Sequence, residues 1–365
     1  MSHPDDSRFM ALALTLGAWG QGRVWPNPAV GCVIVAGGRI VGRGRTADGG
    51  RPHAEVVALA QAGPLAEGAT AYVTLEPCAH HGHTPPCAEA LIASRVARVV
   101  VACTDPDPRV AGRGIAKLEA AGITVTTGVL EAQARRDHAG FFGKVAGTAP
   151  WVTLKLASSV DGRIATATGE SQWITGPDAR RMVHAMRARH DAVMVGAGTA
   201  RADDPMLTVR GMGVTRQPVR VVVSRRLDLP TDSAMIRSAR EVPVWLCHDA
   251  DLEAGVVAEW QERGALCLPC AMQGQQVDPA SVLAALAGQG LTRVFCEGGG
   301  GLSAALLVAG LVDELVVFGA GLVIGAEGTP AIAAMGLDRL AEAPRFDLIE
   351  TRAVGPDTIQ RWRRR

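Results

Sequence analysis

An alternation that runs through this sequence twice constrains its fold more than any other feature. From about residue 5 to residue 146, segments with apolar residues at helical spacing alternate with short β-branched runs; after Gly147-Thr148-Ala149-Pro150 the alternation starts again. Phe9, Leu12, Ala13 and Leu16 mark a first helix, and Val30 to Val35, Gly37-Gly38 and Arg39 to Val41 read as a β-hairpin with a two-residue turn. Strands are predicted at 71–75, 96–103 and 123–126, and helices at 53–62, 87–94, 114–121 and from 131. In the second run, strands are predicted at 152–157, 192–195, 219–223, 242–246, 293–296 and 315–318, with helices at 177–189, 252–263, 279–287 and 302–309. Interleaved strands and helices specify α/β domains in which helices cover a sheet. The Gly/Pro-containing break predicts two domains, 1–146 and 151–365, joined by a linker at 147–150.

Composition removes several function classes. With 48% apolar and 20% charged residues in 365, the chain has ample material for two cores. Lys plus Arg is 37 and Asp plus Glu 36, which argues against a surface built to neutralise many phosphates, and 4% aromatics leaves no rows of base-stacking side chains. The longest apolar stretch, Leu302 to Ala326, is broken by Asp313 and Glu314, so a membrane helix is not expected. The start, MSHPDDSRFM, lacks the basic segment of a secretory signal, and eight cysteines do not make a disulfide scaffold. Together these predict a cytoplasmic protein whose thiols are free, metal-binding or catalytic.

His53-Ala54-Glu55 is followed by Pro77-Cys78 and by Cys87. One imidazole and two thiolates are three ligands suited to Zn2+, with the fourth position left to water as catalytic zinc requires. Zinc brings the pKa of such a water to about 7. Glu55, two residues after the histidine, is the candidate to take that proton and return it to a leaving nitrogen without touching the metal. Zinc nucleobase deaminases combine H-x-E with P-C-x-x-C; eight residues separate Cys78 and Cys87, so that pattern is not met as written. His53 and Cys87 open predicted helices, where thiolate is favoured over thiol, and Cys78 follows a strand end. Cys32 and Cys103, inside apolar strands, read as small buried hydrophobes.

Asn27-Pro28, Val30-Gly31-Cys32-Val33, Pro52-His53-Ala54-Glu55, Thr74-Leu75-Glu76-Pro77-Cys78, Thr84-Pro85-Pro86-Cys87 and Asp105-Pro106 resemble the deaminase half of the bifunctional riboflavin-biosynthesis RibD family. The resemblance implies a cytidine-deaminase-like three-layer α/β/α domain. It also implies hydrolytic deamination of 2,5-diamino-6-(5-phosphoribosylamino)pyrimidin-4-one, with Asn27 and Asp105 on the substrate. In this family a long insertion between the cysteines is expected. Two positions depart from the pattern: Thr46 stands where members often have His, and His83 where they have Lys or Arg, both near the substrate's ribose phosphate.

In the second half, Cys296-Glu297 and then Gly298 to Gly301 join a predicted strand to a predicted helix, a loop that lets backbone approach a phosphate at a helix N-terminus. Gly299 to Ala304 also fits G-x-G-x-x-A, but the acidic residue a Rossmann unit needs about 20 positions on is missing, since Asp313 and Glu314 come too early. Arg187 and Arg210 suit bidentate phosphate contacts. These features, with the runs Lys155 to Ala165, Ser171 to Thr175, Val195 to Thr199 and Asp203-Asp204-Pro205, resemble the RibD reductase domain, similar in fold to dihydrofolate reductase. The resemblance implies NADPH-dependent reduction of the ribosyl group to a ribityl chain. It places Ala157, Trp173, Thr199, Asp203, Gly299, Gly300, Gly301, Leu302, Ser303, Ala304 and Ala305 on NADPH. Ser171, Arg187, Leu207, Arg210 and Glu297 fall on the substrate, and a homo-oligomer, dimer or tetramer, is expected. Ser224-Arg225 replaces a common Asp-Ser, making Arg225 a candidate reader of the adenosine 2′-phosphate.

Some features stay outside this reading. Cys267-Leu268-Pro269-Cys270 has no partner pair and reads as structural thiols, and the arginine-rich tail 361–365 reads as a solvated end. Two other classes share the zinc residues: a nucleoside or nucleic-acid deaminase fused to a binding module, and a structural zinc protein with a fourth ligand among His80, His81 and His83.

Overall fold

The computed structural model describes residues 5–80, 85–108 and 110–365. The chain forms two compact units that divide between Thr148 and Ala149.

The first unit carries strands β1 (Gly31–Ala36), β2 (Arg39–Arg45), β3 (Thr70–Val73), β4 (Arg98–Val101) and β5 (Thr124–Thr127). Its helices are α1 (Asp6–Ala18), α2 (Ala54–Ala62), α3 (Cys87–Ala93), α4 (Arg113–Ala120), α5 (Glu131–Asp137) and α6 (Ala139–Val145). The sheet order is β2-β1-β3-β4-β5; β1 is antiparallel to β2 and β3, and β3, β4 and β5 are parallel. The Gly37-Gly38 turn closes the hairpin with both residues at positive φ. Val33, Ile34, Val73, Val99 to Val101, Leu91 and Leu118 form the core between sheet and helices. Helix α2 sits unusually close to β2. A Cβ on Gly42 would lie 2.2 Å from the Ala58 carbonyl oxygen, and one on Gly44 2.5 Å from that of Ala54. Two glycines at alternate positions of β2 therefore set the height of the helix that begins at His53.

The second unit contains β6 (Trp151–Ser159), β7 (Arg163–Ala165), β8 (Ala192–Gly196), β9 (Val219–Val223), β10 (Val244–Asp249), β11 (Leu266–Cys270), β12 (Met272–Gln273) and β13 (Gln276–Val277). It continues with β14 (Arg293–Gly298), β15 (Glu314–Ala320), β16 (Thr329–Pro330), β17 (Phe346–Val354) and β18 (Asp357–Arg364). Its helices are α7 (Pro177–Arg187), α8 (Ala197–Asp203), α9 (Ala234–Arg237), α10 (Ala254–Glu262), α11 (Pro279–Gly288) and α12 (Gly300–Val308). The main sheet runs β11-β10-β9-β8-β14-β6-β15-β18-β17, parallel as far as β15 and closed by the antiparallel β17–β18 hairpin. Strand β14 returns from the far edge to lie between β8 and β6. The carboxyl ends of these three neighbours thus come together, the usual place for a ligand in a parallel sheet.

Three elements differ from the sequence reading. The tail is not a solvated end: Arg361 to Arg364 belong to β18, an inner strand between β15 and β17. Its cations meet acids on neighbouring segments, Arg361 with Glu314 and Glu350, Arg364 with Asp313, and Arg365 with Asp347. The run Val195 to Thr199 ends a strand, β8 closing at Gly196, but from Ala197 it also starts α8, a helix absent from the sequence reading. Cys267 and Cys270 lie within β11 rather than after a strand, both buried and free.

Candidate active sites

In the first unit three backbone transitions deliver the metal donors. His53 is the extended residue at the N-cap of α2, Cys87 is the first residue of α3, and Cys78 lies beyond the end of β3. The donor atoms of His53, Cys78 and Cys87 all lie within 4.8 Å of one another, the one such group of three or more His, Cys, Asp or Glu among the described residues. His53 Nδ1 stands 3.3 Å from Cys87 Sγ and 3.7 Å from Cys78 Sγ. The backbone N–H of Cys87 donates to Cys78 Sγ at 3.3 Å. Hydrogen bonds from the Cys87 thiol, the His53 ring and the Cys87 amide pull the Cys78 thiol down to about 4, favouring its thiolate, while the same contact and burial push Cys87 up. Two sulfurs and one imidazole nitrogen converging in a largely buried cluster fit zinc.

Glu55, one residue into α2, is 4% exposed. Burial, reinforced by the neighbouring Cys78 charge, pushes its carboxyl up to about 7, where it can both accept and release a proton at neutral pH. Asp105 is buried, and burial raises it to about 6. Asn27 is half-buried, and its amide fills the space a Cβ on Gly50 would need, 1.9 Å from Nδ2. Thr46 is 2% exposed; its hydroxyl donates to the Pro28 carbonyl and accepts from the Val30 amide, both at 3.0 Å. It therefore braces the Asn27-Pro28 turn and has no side-chain atom left for a phosphate. His80 is exposed and outside the donor cluster; His81 and His83 lie outside the described residues.

In the second unit the carboxyl ends of β6, β8 and β14 gather a charged cluster. Arg187, at the end of α7, grips Glu297 of β14 with two parallel hydrogen bonds, one of 3.0 Å from Nη2 to Oε2, and donates from Nη1 to the Thr208 carbonyl at 2.9 Å. The Arg187 guanidinium lies beside Glu297 and holds its carboxyl below the usual range despite burial. Arg210 donates its backbone N–H to His184 Nδ1 at 3.2 Å, joining the Leu207-to-Arg210 segment to α7. Thr199 of α8 donates its hydroxyl to the Gly298 carbonyl at 3.0 Å, and a Cβ on Gly299 would meet that hydroxyl at 2.7 Å. Gly299, at φ +97°, is the N-cap of α12. No atom lies within 4 Å of a Cβ built on Gly198 or Gly301, so the starts of α8 and α12 both face open space that any side chain would fill. The Ser303 hydroxyl is buried without a hydrogen-bond partner beside Gly298. A glycine-lined opening at the ends of parallel strands with an unsatisfied hydroxyl fits a dinucleotide phosphate.

Lys155 of β6 was not singled out by its sequence motif. It is half-buried, and burial, joined by the Arg187 charge, lowers its ammonium's pKa although Glu297 and Asp203 pull the other way. Those partners arrive from the end of α8 and from β14, so only the fold assembles them. Ala157 lies two residues further along β6. Trp173 is 69% exposed with the Arg180 guanidinium 4.6 Å over its ring, and Ser171 is half-buried in the same loop. Arg225 is engaged with the Gln275 side chain and carbonyl.

Residues 3–103 match the model of the cytidine and deoxycytidylate deaminase zinc-binding region, and residues 150–360 that of the RibD C-terminal domain. The riboflavin biosynthesis protein RibD of Escherichia coli K12 is 42% identical over 364 residues, covering 96% of this chain and 97% of its own. The chain belongs to the RibD family. RibD of Aquifex aeolicus is 39% identical over 354 residues, with 97% of each chain covered. Among solved structures, Acinetobacter baumannii RibD superposes with a TM-score of 0.88 at 39% identity over 99% of both chains. A Thermotoga maritima diaminohydroxyphosphoribosylaminopyrimidine deaminase/5-amino-6-(5-phosphoribosylamino)uracil reductase gives 0.85 at 32% identity, again over 99% of both. The chain is thus a two-activity enzyme of riboflavin biosynthesis, a zinc-dependent deaminase of cytidine-deaminase-like fold followed by an NADPH-dependent reductase of dihydrofolate-reductase-like fold. The match across 150–360 removes the reading of a deaminase fused to an unrelated binding module.

Proposed function

We propose that the first unit hydrolyses 2,5-diamino-6-(5-phosphoribosylamino)pyrimidin-4-one to 5-amino-6-(5-phosphoribosylamino)uracil and ammonia, and that the second reduces the ribosyl group of that product to ribityl phosphate. The observation that carries this reading is the His53–Cys78–Cys87 cluster with Glu55 buried against it. His53, Cys78 and Cys87 hold zinc, which when bound supplies the Lewis acidity that makes water a nucleophile at neutral pH. Glu55 takes the water's proton at its carboxylate and returns it to the departing nitrogen. Asn27 and Asp105 orient the pyrimidine. In the reductase, NADPH supplies the hydride. Ala157, Trp173, Thr199, Asp203 and the stretch Gly299 to Ala305 hold it. Glu297, fixed by Arg187, and Lys155 present a paired charge to the base, while Ser171, Leu207 and Arg210 receive the rest of the substrate.

We assign residues 1–146 to the deaminase, 147–150 to the linker and 151–365 to the reductase, supported by the division at Thr148. The enzyme is proposed to be a cytoplasmic homo-oligomer acting on a small nucleotide, with neither nucleic acid nor membrane as partner. A formal charge of +1 speaks against a polyanionic partner, and among the described residues no helix is long and apolar enough to cross a membrane. The test is to incubate the purified protein with the diaminopyrimidine nucleotide, first alone and then with NADPH. Ammonia release without NADPH, then NADPH oxidation, is expected; no ammonia, or oxidation without prior deamination, would refute the order.

A further inference from the structure

One buried carboxylate near the metal cluster has no part in the chemistry above. Glu76 lies between the end of β3 and Cys78 and is 3% exposed. It accepts four backbone N–H groups: Oε1 from Gly114 at 3.0 Å and Ile115 at 3.4 Å, Oε2 from Gly112 at 3.0 Å and Asp105 at 3.3 Å. Three of these donors are at the start of α4 and would otherwise be unpaired helix-end amides. The fourth belongs to Asp105, whose own Oδ1 accepts from the Asp107 amide at 2.8 Å. The Glu76 amide donates to the Cys103 carbonyl at 3.0 Å, fixing the same residue from its backbone side. The seam is close: a Cβ on Gly114 would meet the Pro77 carbonyl oxygen at 1.9 Å. A buried charge is costly unless fully hydrogen-bonded, and here its partners are the Asp105 segment and the start of α4.

We propose that Glu76 is a positioning residue of the deaminase: its carboxylate locks the Asp105 segment and the start of α4 to the strand end that delivers Cys78. The proposal rests on the deaminase reading above. In Glu76→Gln one acceptor oxygen becomes an NH2 facing backbone donors, so the lock opens while the volume is kept. Zinc content stays at one per chain, because Cys78 is also held to α3 by the Cys87 and Ala88 amides, and reduction of the deaminated nucleotide, carried by the second unit, is unchanged.

Hydrogen exchange in the peptide 105–115 should then speed up by about tenfold or more, and KM for the diaminopyrimidine nucleotide rise about tenfold with kcat within about threefold. Glu76→Gln combined with Asp105→Asn should raise KM no further than Asp105→Asn alone, since Glu76 holds the Asp105 backbone and acts on the substrate only through the side chain that backbone places. Should Glu76→Gln fail to fold, Glu76→Asp, which keeps the charge one methylene short, is expected to show the same pattern at smaller size. Unchanged exchange at 105–115, an unchanged KM, or effects of the two substitutions that multiply would each overturn the proposal. If the wild-type protein released no ammonia, the deaminase reading would fall, whereas the exchange comparison would still decide whether Glu76 holds the segment.

Discussion

The two sites are assembled by different means. In the first unit the reactive groups already touch: an imidazole, two sulfurs and a buried carboxyl come from two helix starts and a strand end, and hydrogen bonds among them have made one thiol acidic. In the second unit the side chains form a rigid wall, the Arg187–Glu297 pair with Lys155 beside it, around a space outlined by glycines. The first site is a set of donors waiting for one ion; the second is a shaped opening whose working part is carried in by the cofactor. Loss of a single side chain should therefore stop the first site but only weaken the second.

The largest expected effect follows from Glu55. Glu55→Gln should keep zinc and lower deamination by about 10²–10⁴-fold, the usual contribution of a general acid–base group, with reduction unaffected. Near-normal ammonia release would remove Glu55 from proton transfer and blur the contrast between the sites. A smaller effect is expected from Arg210→Ala. Losing one charge-assisted phosphate contact costs about 1.5–3 kcal/mol, to be read as a raised KM in reduction with kcat little changed. A drop in kcat alone would mean that Arg210 acts in the chemical step.

The smallest effect sharpens what the units have in common. Each buries a neutral histidine against a threonine hydroxyl: His138 Nε2 lies 3.2 Å from Thr74 Oγ1, and His190 Nε2 3.0 Å from Thr153 Oγ1. Burial lowers His138 to about 4 and His190 to about 3 from the ordinary 6.5. Above 6.5 both folded and unfolded chains leave the rings neutral and stability is full. As pH falls below 6.5 the unfolded chain takes up protons that the buried rings refuse, so stability drops until the folded pKa is reached. Between pH 7.5 and 5 the cost should be about 1–2 kcal/mol per histidine, and His138→Gln should lessen the acid loss of thermal stability in the first unit. An equal loss with and without His138 would show that its ring is protonated in the fold.

Local signals reached the first site and stopped short of the second. His53, Cys78 and Cys87 sit where the chain changes from loop to helix or leaves a strand, and such changes are written in nearby residues. Lys155 looks like one polar residue in an apolar strand until α8 and β14 bring Asp203 and Glu297 to it. Helix α8 leaves little trace in the sequence because Gly196 and Gly198 at its start weaken any helical signal. The β17–β18 hairpin was hidden because Arg361, Arg364 and Arg365 read as solvated charges until Glu314, Asp313 and Asp347 are seen beside them. Thr46 shows the reverse: a polar residue that the resemblance sets near the substrate's phosphate is used up bracing a turn.

The contrast depends on each site working without the other, and both half-reactions of His53→Ala measure this directly. The zinc donors all precede Gly147 and the proposed NADPH contacts all follow it. The variant should release no ammonia from the diaminopyrimidine nucleotide while reducing the deaminated nucleotide with NADPH at close to the wild-type rate. Loss of reduction in a His53→Ala protein that is still folded would contradict two independent sites and require a single composite one.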